Sequence, residues 1–297
     1  LILAGLYFYK RLPSISVREA IVIAFSLLFF IFSAKFLIPN RTILPYIFPL
    51  AGLSFALSTL FGLEASLFLT ILSASLITYG MPVSSNLLLF YIISSISGTL
   101  ILGQGRRISV FFAAGLLTGV AGVLIILATR ILEGNTDWIG IITLAGSSLI
   151  NGLASASIGL LLQYVFSQLL GVTTAIQLLE IARPDHPLLQ YILTNAPGSY
   201  QHSLHVANLA EQAAKEIGAD QLLTRVGAIY HDAGKASNSS FFIENQIADN
   251  LNSHDDLDPY TSAATVISHV LEGVELAKKY HLPRRIQDFI REHHGTL

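Results

Sequence analysis

Long runs without charge constrain this 297-residue chain more than any other feature. Residues 65–105 and 138–179 contain no Asp, Glu, Lys or Arg, and residues 43–63 and 108–129 are equally free of charge. A helix that crosses a bilayer needs about 20 mostly apolar residues. A water-soluble fold made from these runs would expose too much apolar surface, so we expect the first part of the chain to span a membrane.

Seven spanning segments are predicted, the first of them incomplete. They are residues 1–9, 19–38, 43–63, the two halves of 65–105 on either side of the YGMP sequence at 79–82, 108–129, and 138 to about 170. The whole bundle therefore covers residues 1–170. The chain begins inside an apolar run without an initiator methionine, and we expect an upstream portion to be missing.

Basic residues predict which side of the plasma membrane the remaining chain faces. Two loops on the side of the C-terminal part hold five basic residues: Lys10, Arg11, Arg18, Arg106 and Arg107. The opposite loops mix Lys35, Arg41 and Arg130 with Glu133 and Asp137. Loops rich in Lys and Arg remain in the cytoplasm, so we place the C-terminal part there. Within the predicted spans no Asp, Glu or His is expected to be buried where it would mark an ion path, which disfavours a transporter or a channel.

The C-terminal part has the composition of a soluble helical domain. We expect a connecting helix and linker over residues 171–187 and an all-α domain over residues 188–297. Helices are predicted at 201–217, 220–231, 261–280 and from Pro283 onward; the first carries the apolar stripe Leu204, Val206, Leu209, Ala213 and Ile217. Residues 236–258 are expected to form a loop with Phe241, Phe242 and Ile243 directed inward. The sequence has no basic tract of the kind that would indicate nucleic-acid binding. It also has no cysteine, which excludes thiolate metal sites.

All nine histidines lie in this C-terminal part, and five of them form a candidate metal site with one aspartate. The candidate ligands are His202, His231, Asp232, His269, His293 and His294. Imidazole and carboxylate groups are the usual ligands of divalent iron, manganese or zinc. Because a carboxylate offers two oxygens, Asp232 can bridge two ions, one held with His202 and His231, the other with His269, His293 and His294.

A pair of such ions clamps a phosphate and generates hydroxide near neutral pH. Lys235 follows the His-Asp pair closely and is expected to neutralise a phosphate oxygen. The other histidines are expected to have structural or exposed positions: His186, His254, His281 and, on the helix of His202, His205. Ser199, Ser203 and Thr296 are expected to donate hydrogen bonds or cap helices.

The same residues resemble the HD phosphohydrolase superfamily, whose pattern is a His, a His-Asp pair, a further His, a late His and a final Asp. The runs NAPGSYQHSLHVANLAEQAA, RVGAIYHDAGK, FFIENQ and DFIREHHGT are similar to the cytoplasmic domain of the seven-transmembrane HD family of bacteria. The predicted spans agree with the topology of that family. The resemblance is specific over residues 185–297 and rests on topology alone over the spans.

The resemblance implies a membrane-bound phosphodiesterase that hydrolyses cyclic di-AMP to the linear dinucleotide pApA with two iron or manganese ions. It implies the same six metal ligands, places Lys235 near the phosphates, and adds an extracellular sensory domain upstream. A homodimer is also compatible with it. The family's final metal-binding Asp lies beyond Leu297, so we expect residues 1–297 alone to bind metal poorly and to have little activity.

Two alternatives remain open from the sequence. One is an HD phosphohydrolase acting on cyclic di-GMP or a guanosine polyphosphate; the Gly295-Thr296 pair after the His doublet disfavours the cyclic di-GMP branch, whose motif continues differently. The other is a membrane receptor that binds a nucleotide without catalysis. The intact His231-Asp232 pair argues against this second alternative.

A further departure from the family pattern, Ala233 in place of isoleucine, is expected to affect packing more than chemistry.

Overall fold

The computed structural model of the chain describes residues 15–81, 84–134, 137–246 and 252–295. Helices and turns make up these residues, with no β-strand among them, so the predicted all-α fold class is confirmed. The chain divides into two compact units, with the boundary between Val172 and Thr173. The predicted first span at residues 1–9 and Thr296 lie outside the described residues.

The first unit is a bundle of apolar helices. They are α1 (Val17–Leu37), α2 (Leu44–Ile47), α3 (Leu50–Phe61), α4 (Leu63–Thr78), α5 (Ser84–Leu102), α6 (Ile108–Leu132) and α7 (Trp138–Leu170). In the described part of the chain, five stretches are long and apolar enough to cross a bilayer: α1, α2 together with α3, α5, α6 and α7. Helix α4 is apolar but has only 16 residues. The chain is therefore a membrane protein, and each predicted span from the second to the seventh corresponds to an apolar helical stretch.

The predicted span over residues 43–63 is broken between α2 and α3. Pro49 has no N–H group and cannot continue a helix, so the backbone turns at Phe48 and leaves carbonyl groups without helical partners. The Asn151 amide of α7 donates to the Phe48 carbonyl at 2.6 Å, and the Tyr91 hydroxyl of α5 donates to the Pro45 carbonyl at 2.6 Å. Side chains thus replace the missing backbone bonds in a region without water.

Small residues allow close contact between α6 and α7. A Cβ atom at Gly152 would overlap the Gly115 carbonyl oxygen, and a Cβ atom at Gly115 would overlap the Gly152 carbonyl oxygen. Nearby, the Ser148 hydroxyl donates to the Gly119 carbonyl at 2.8 Å. Glycine and serine at a helix interface are typical of membrane bundles, where van der Waals contact and hydrogen bonds replace the hydrophobic effect.

The described residues of the second unit form six helices and three short 3₁₀ turns. The helices are α8 (Ala175–Ile181), α9 (Pro187–Asn195), α10 (Pro197–Glu216), α11 (Gln221–Tyr230), α12 (Pro259–Lys279) and α13 (Arg284–Glu292); the turns are Ala233–Ala236, Ser239–Phe241 and Ile243–Asn245. Carboxylates of Asp220 and Asp258 cap α11 and α12 by accepting backbone N–H groups. Pro283 is the N-cap of α13 and not its first helical residue.

Two predicted details of this unit are wrong. On α10, Leu209 is 70% exposed and Ile217 is 80% exposed, while the buried face carries Ser199, Ser203, Ala207 and Ala214. Leu204 and Val206 of the predicted stripe are half-buried and pack against the core, but the fully buried positions of this helix are taken by its small side chains. In the loop, Phe242 is buried but Ile243 is 83% exposed, because the extended backbone at Phe242 sends neighbouring side chains in opposite directions.

Candidate metal centre

The candidate centre is built around the carboxylate of Asp232, which is only 4% exposed. Helix α11 ends at Tyr230, so His231 and Asp232 lie at the transition into the turn Ala233–Ala236. The buried α11 face, with Val226 and Ile229, anchors this end in the core. Ala233 is also buried in the core, in agreement with the packing role expected for it.

Each oxygen of Asp232 faces a different pair of imidazoles. Oδ2 lies 3.1 Å from Nε2 of His231 and 3.9 Å from Nε2 of His202, which α10 carries. Oδ1 lies 3.5 Å from Nε2 of His269 on α12 and 3.5 Å from Nε2 of His293 at the end of α13. One carboxylate is therefore shared by side chains from four separate helices or helix ends.

The six predicted ligands form two groups. In the first group, one donor atom each from His202, His231 and Asp232 lies within 4.8 Å of the others; in the second, the same holds for His269, His293 and His294. Within the second group, Nε2 of His269 lies 3.3 Å from Nε2 of His293 and 3.3 Å from Nε2 of His294. Nitrogen and carboxylate donors at these separations fit divalent cations, with Asp232 between the two groups.

Three of these imidazoles are oriented by the main chain. In each, Nδ1 lies against the carbonyl oxygen three residues earlier: His231 against Ala228 at 2.7 Å, His293 against Ile290 at 2.8 Å, and His269 against Val266. A carbonyl oxygen only accepts, so Nδ1 carries the hydrogen and Nε2 keeps its lone pair. Such a contact fixes both the tautomer and the direction of a metal-ligating histidine.

Electrostatics keep the centre in a form that can bind cations. Burial alone would raise the pKa of Asp232, but the neighbouring His231 and His293 side chains and the Lys235 ammonium outweigh it and hold that pKa well below its ordinary range. Burial lowers the pKa of His269, and burial with the neighbouring imidazoles lowers the pKa of His294. Burial also acts to lower the pKa of His231, but the adjacent Asp232 carboxylate raises it overall. At neutral pH the centre therefore offers an ionised carboxylate and neutral imidazoles at positions 269 and 294.

Lys235 lies inside the centre, held between two carboxylates. Its ammonium nitrogen is 2.9 Å from Oδ2 of Asp232 and 2.9 Å from Oε1 of Glu244. Burial would lower the pKa of Lys235, but these two contacts raise it overall, so the side chain stays cationic. Glu244 was not singled out from the sequence, although it is the one carboxylate of the FFIENQ run.

The remaining histidines lie outside this cluster. His186 caps α9 through its Nδ1, which accepts the Leu188 N–H, and His254 connects the Phe241 carbonyl to the Ser262 hydroxyl. His205 is exposed on α10, and His281 follows α12 in a left-handed conformation. These placements are structural or exposed, as expected.

Family models match both units of the chain. The model described as HD domain matches residues 199–297. The model described as 7TM receptor with intracellular HD hydrolase matches residues 1–174, more than half of the chain. The chain belongs to this 7TM-HD family. The resemblance found in the sequence is thus confirmed over both the spans and the HD domain.

Characterised relatives of this family member are much longer than the chain. The cyclic-di-AMP phosphodiesterase PgpH of Bacillus subtilis is 37% identical over 236 residues, which cover 78% of this chain and 33% of the relative. PgpH of Listeria monocytogenes is 34% identical over 274 residues, which cover 91% of this chain and 38% of the relative. The chain therefore spans about a third of the length of these relatives. A crystal structure of the L. monocytogenes PgpH HD domain in complex with cyclic-di-AMP is 49% identical, covering 39% of this chain and 54% of that one, with a TM-score of 0.37.

Proposed function

We propose that this chain is part of a membrane-anchored, metal-dependent phosphodiesterase that hydrolyses cyclic di-AMP to pApA. The observation that carries the proposal is the Asp232 carboxylate, whose two oxygens face two separate groups of imidazoles. The relatives named above supply the substrate, because both are cyclic-di-AMP phosphodiesterases. A receptor that only binds a nucleotide does not require a buried carboxylate that faces the imidazole nitrogens of four histidines, so the catalytic alternative is favoured.

The proposed ligands are the six residues of the two groups, and the proposed ions are iron or manganese. His202, His231 and Asp232 would hold one ion, and Asp232, His269, His293 and His294 the other. When bound, such a pair supplies a hydroxide for in-line attack on phosphorus and neutralises charge on the phosphoryl oxygens. Lys235 contributes a fixed ammonium beside the same carboxylate, where it can donate to a phosphoryl oxygen as charge develops.

The proposal places the HD domain on the cytoplasmic side of the plasma membrane. It is supported by the five basic residues in the two loops on that side of the bundle. The proposed organisation remains a bundle over residues 1–170, a connecting segment over 171–187 and the HD domain from 188 onward, with a homodimer as the proposed assembly.

The test is substrate turnover by the full-length protein, purified in detergent and loaded with Mn²⁺ or Fe²⁺. We expect cyclic di-AMP to be converted to pApA, and Asp232→Ala to reduce the rate by about a thousandfold or more, since both groups of ligands lose their shared carboxylate. His205→Ala serves as the matched control because His205 is an exposed histidine of the same helix as His202. Cleavage of cyclic di-GMP or a guanosine polyphosphate in preference to cyclic di-AMP would contradict the proposed substrate, and full activity of Asp232→Ala would contradict the proposed centre.

A further inference from the structure

We propose that Glu244 is a positioning residue that, together with Asp232, fixes the Lys235 ammonium and directs its remaining N–H group toward the substrate phosphate. The inference rests on the proposed phosphodiesterase function and assigns a role to the FFIENQ segment. Glu244 itself would not touch the reacting atoms. It would act through Lys235, which does.

The contacts of Lys235 show why a second carboxylate is needed. An ammonium group has three N–H donors. Two of them are directed to Asp232 and Glu244, each at 2.9 Å, which leaves one for a phosphate oxygen. Without Glu244, Asp232 would attract the ammonium alone. The cation of Lys235 would then be drawn onto Oδ2, the oxygen that faces His202 and His231, and would compete there with a metal ion.

The Glu244 carboxylate is itself fixed from the opposite side. The Ser199 hydroxyl of α10 donates to the same Oε1 atom at 2.9 Å. Asn245 closes the arrangement, since its Oδ1 accepts the Ser199 N–H at 3.0 Å and its Nδ2 donates to the Ser199 hydroxyl at 2.8 Å. A Cβ atom at Gly198 would overlap the Glu244 carbonyl oxygen, so the first turn of α10 lies directly against this segment. A carboxylate held in this way is preorganised for Lys235.

The aromatic ring of Phe242 also contacts the Lys235 side chain. Its ring centroid lies 5.1 Å from the Lys235 ammonium and 5.8 Å from the ring centroid of His269. The side chain of Lys235 is only 16% exposed and that of Glu244 only 26% exposed. An ion pair with this degree of shielding and this number of fixed partners differs from a surface pair, which contributes little because both side chains are mobile and solvated.

A double-mutant cycle tests whether Glu244 acts through Lys235. In the full-length protein, we expect Glu244→Gln to lower kcat/KM for cyclic di-AMP about 10- to 100-fold, the range for loss of one charge-assisted hydrogen bond. Lys235→Met should lower it at least as much, and adding Glu244→Gln to Lys235→Met should cost nothing further. Glu275→Gln, at an exposed position of α12, is the matched control and should leave the rate unchanged. An equal loss from Glu244→Gln with and without Lys235 would overturn the proposal.

A second measurement separates this inference from the proposed substrate. In the metal-free protein, acetylation of Lys235 by an N-hydroxysuccinimide ester is followed by mass spectrometry. We expect Glu244→Gln to accelerate it severalfold, whatever nucleotide the enzyme cleaves, and Glu275→Gln to have no effect. An unchanged rate in a Glu244→Gln protein with wild-type Tm would overturn the proposed contact. If cyclic di-AMP is not cleaved but acetylation is accelerated, only the proposed substrate fails.

Discussion

The backbone of Gly234 lies directly against the backbone of His269. A Cβ atom at Gly234 would overlap the His269 carbonyl oxygen and would come within 2.5 Å of the Gly273 nitrogen. The turn that follows Asp232 therefore meets α12 at main-chain distance. This contact brings the Asp232 carboxylate to the imidazole of His269, which a side chain at position 234 would push away.

Gly234→Ala is expected to weaken metal binding, although the substitution adds only one methyl group. The added methyl group must separate the turn from α12, which moves Asp232 away from His269 and lowers the free energy of unfolding by about 1–3 kcal/mol. Manganese retained per chain after desalting, together with the Tm, measures both effects. Gly146→Ala is the matched control, because a Cβ atom at Gly146 meets no atom within 4 Å. Equal manganese retention in Gly234→Ala and the wild type would contradict this account of the contact.

Phe242→Ala is expected to destabilise the HD domain by about 3–5 kcal/mol, the usual cost of removing a buried phenyl ring. It also removes the ring that contacts both His269 and Lys235. Its neighbour Ile243 is exposed, so Ile243→Ala should change the free energy of unfolding by less than about 0.5 kcal/mol. Chemical denaturation of the two variants checks the difference; similar losses would mean that both side chains pack in the core.

Stability should fall at mildly acidic pH partly because of His186. Burial lowers its pKa below the ordinary 6.5, an effect opposed only in part by Glu180 and Asp185. The unfolded chain therefore binds a proton more readily, and the folded state loses stability as the pH falls below about 6.5 and through the folded pKa. Protonation of Nδ1 also removes the acceptor for the Leu188 N–H.

His186→Asn tests this, because asparagine caps a helix without titrating in this range. The drop in Tm between about pH 7.5 and 5.5 should be smaller in the variant than in the wild type. The other histidines are the same in both proteins, so the comparison isolates position 186. Equal drops would exclude His186 as a source of the pH dependence.

Asn151→Ala is expected to destabilise the membrane bundle by about 0.5–1.5 kcal/mol. The substitution removes the side-chain donor to the Phe48 carbonyl at the break between α2 and α3, so this carbonyl keeps only the Leu50 N–H at 3.0 Å in a region without water. Ser157→Ala, at an exposed position of the same helix whose hydroxyl bonds only within α7, should be nearly neutral. Thermal unfolding in detergent distinguishes the two, and equal stability of both variants would show that the hydrogen bond from Asn151 does not stabilise the break.

Chemistry-bearing residues were easier to predict from the sequence than packing faces. Residue type and spacing were sufficient to single out the six side chains that the structure brings together, because imidazole and carboxylate groups that recur close to a His-Asp pair favour metal binding. The inward face of α10 was predicted only in part: Leu204 and Val206 pack against the core, but its fully buried positions are small residues such as Ser199, Ser203 and Ala207, which leave no hydrophobic signal.

The role of Glu244 could not be predicted from residue type and spacing. Its role depends on a contact across nine residues with Lys235 and across 45 residues with Ser199, inside a segment whose composition predicts only a loop. Likewise, no local pattern shows that Asn151 reaches the Phe48 carbonyl, since the two are 103 residues apart. Long-range partners of single polar groups are decided by the tertiary fold.

The Nδ1 contacts of His231, His269 and His293 have a consequence for how much the rest of the domain can vary. Each imidazole is aimed by a carbonyl of its own helical turn, three residues earlier. An insertion or deletion in a connecting loop therefore changes the length of the chain without redirecting any of these rings. The orientation of each of these rings is therefore determined by its own stretch of four residues. The geometry of the centre is retained as long as those stretches come together in the fold.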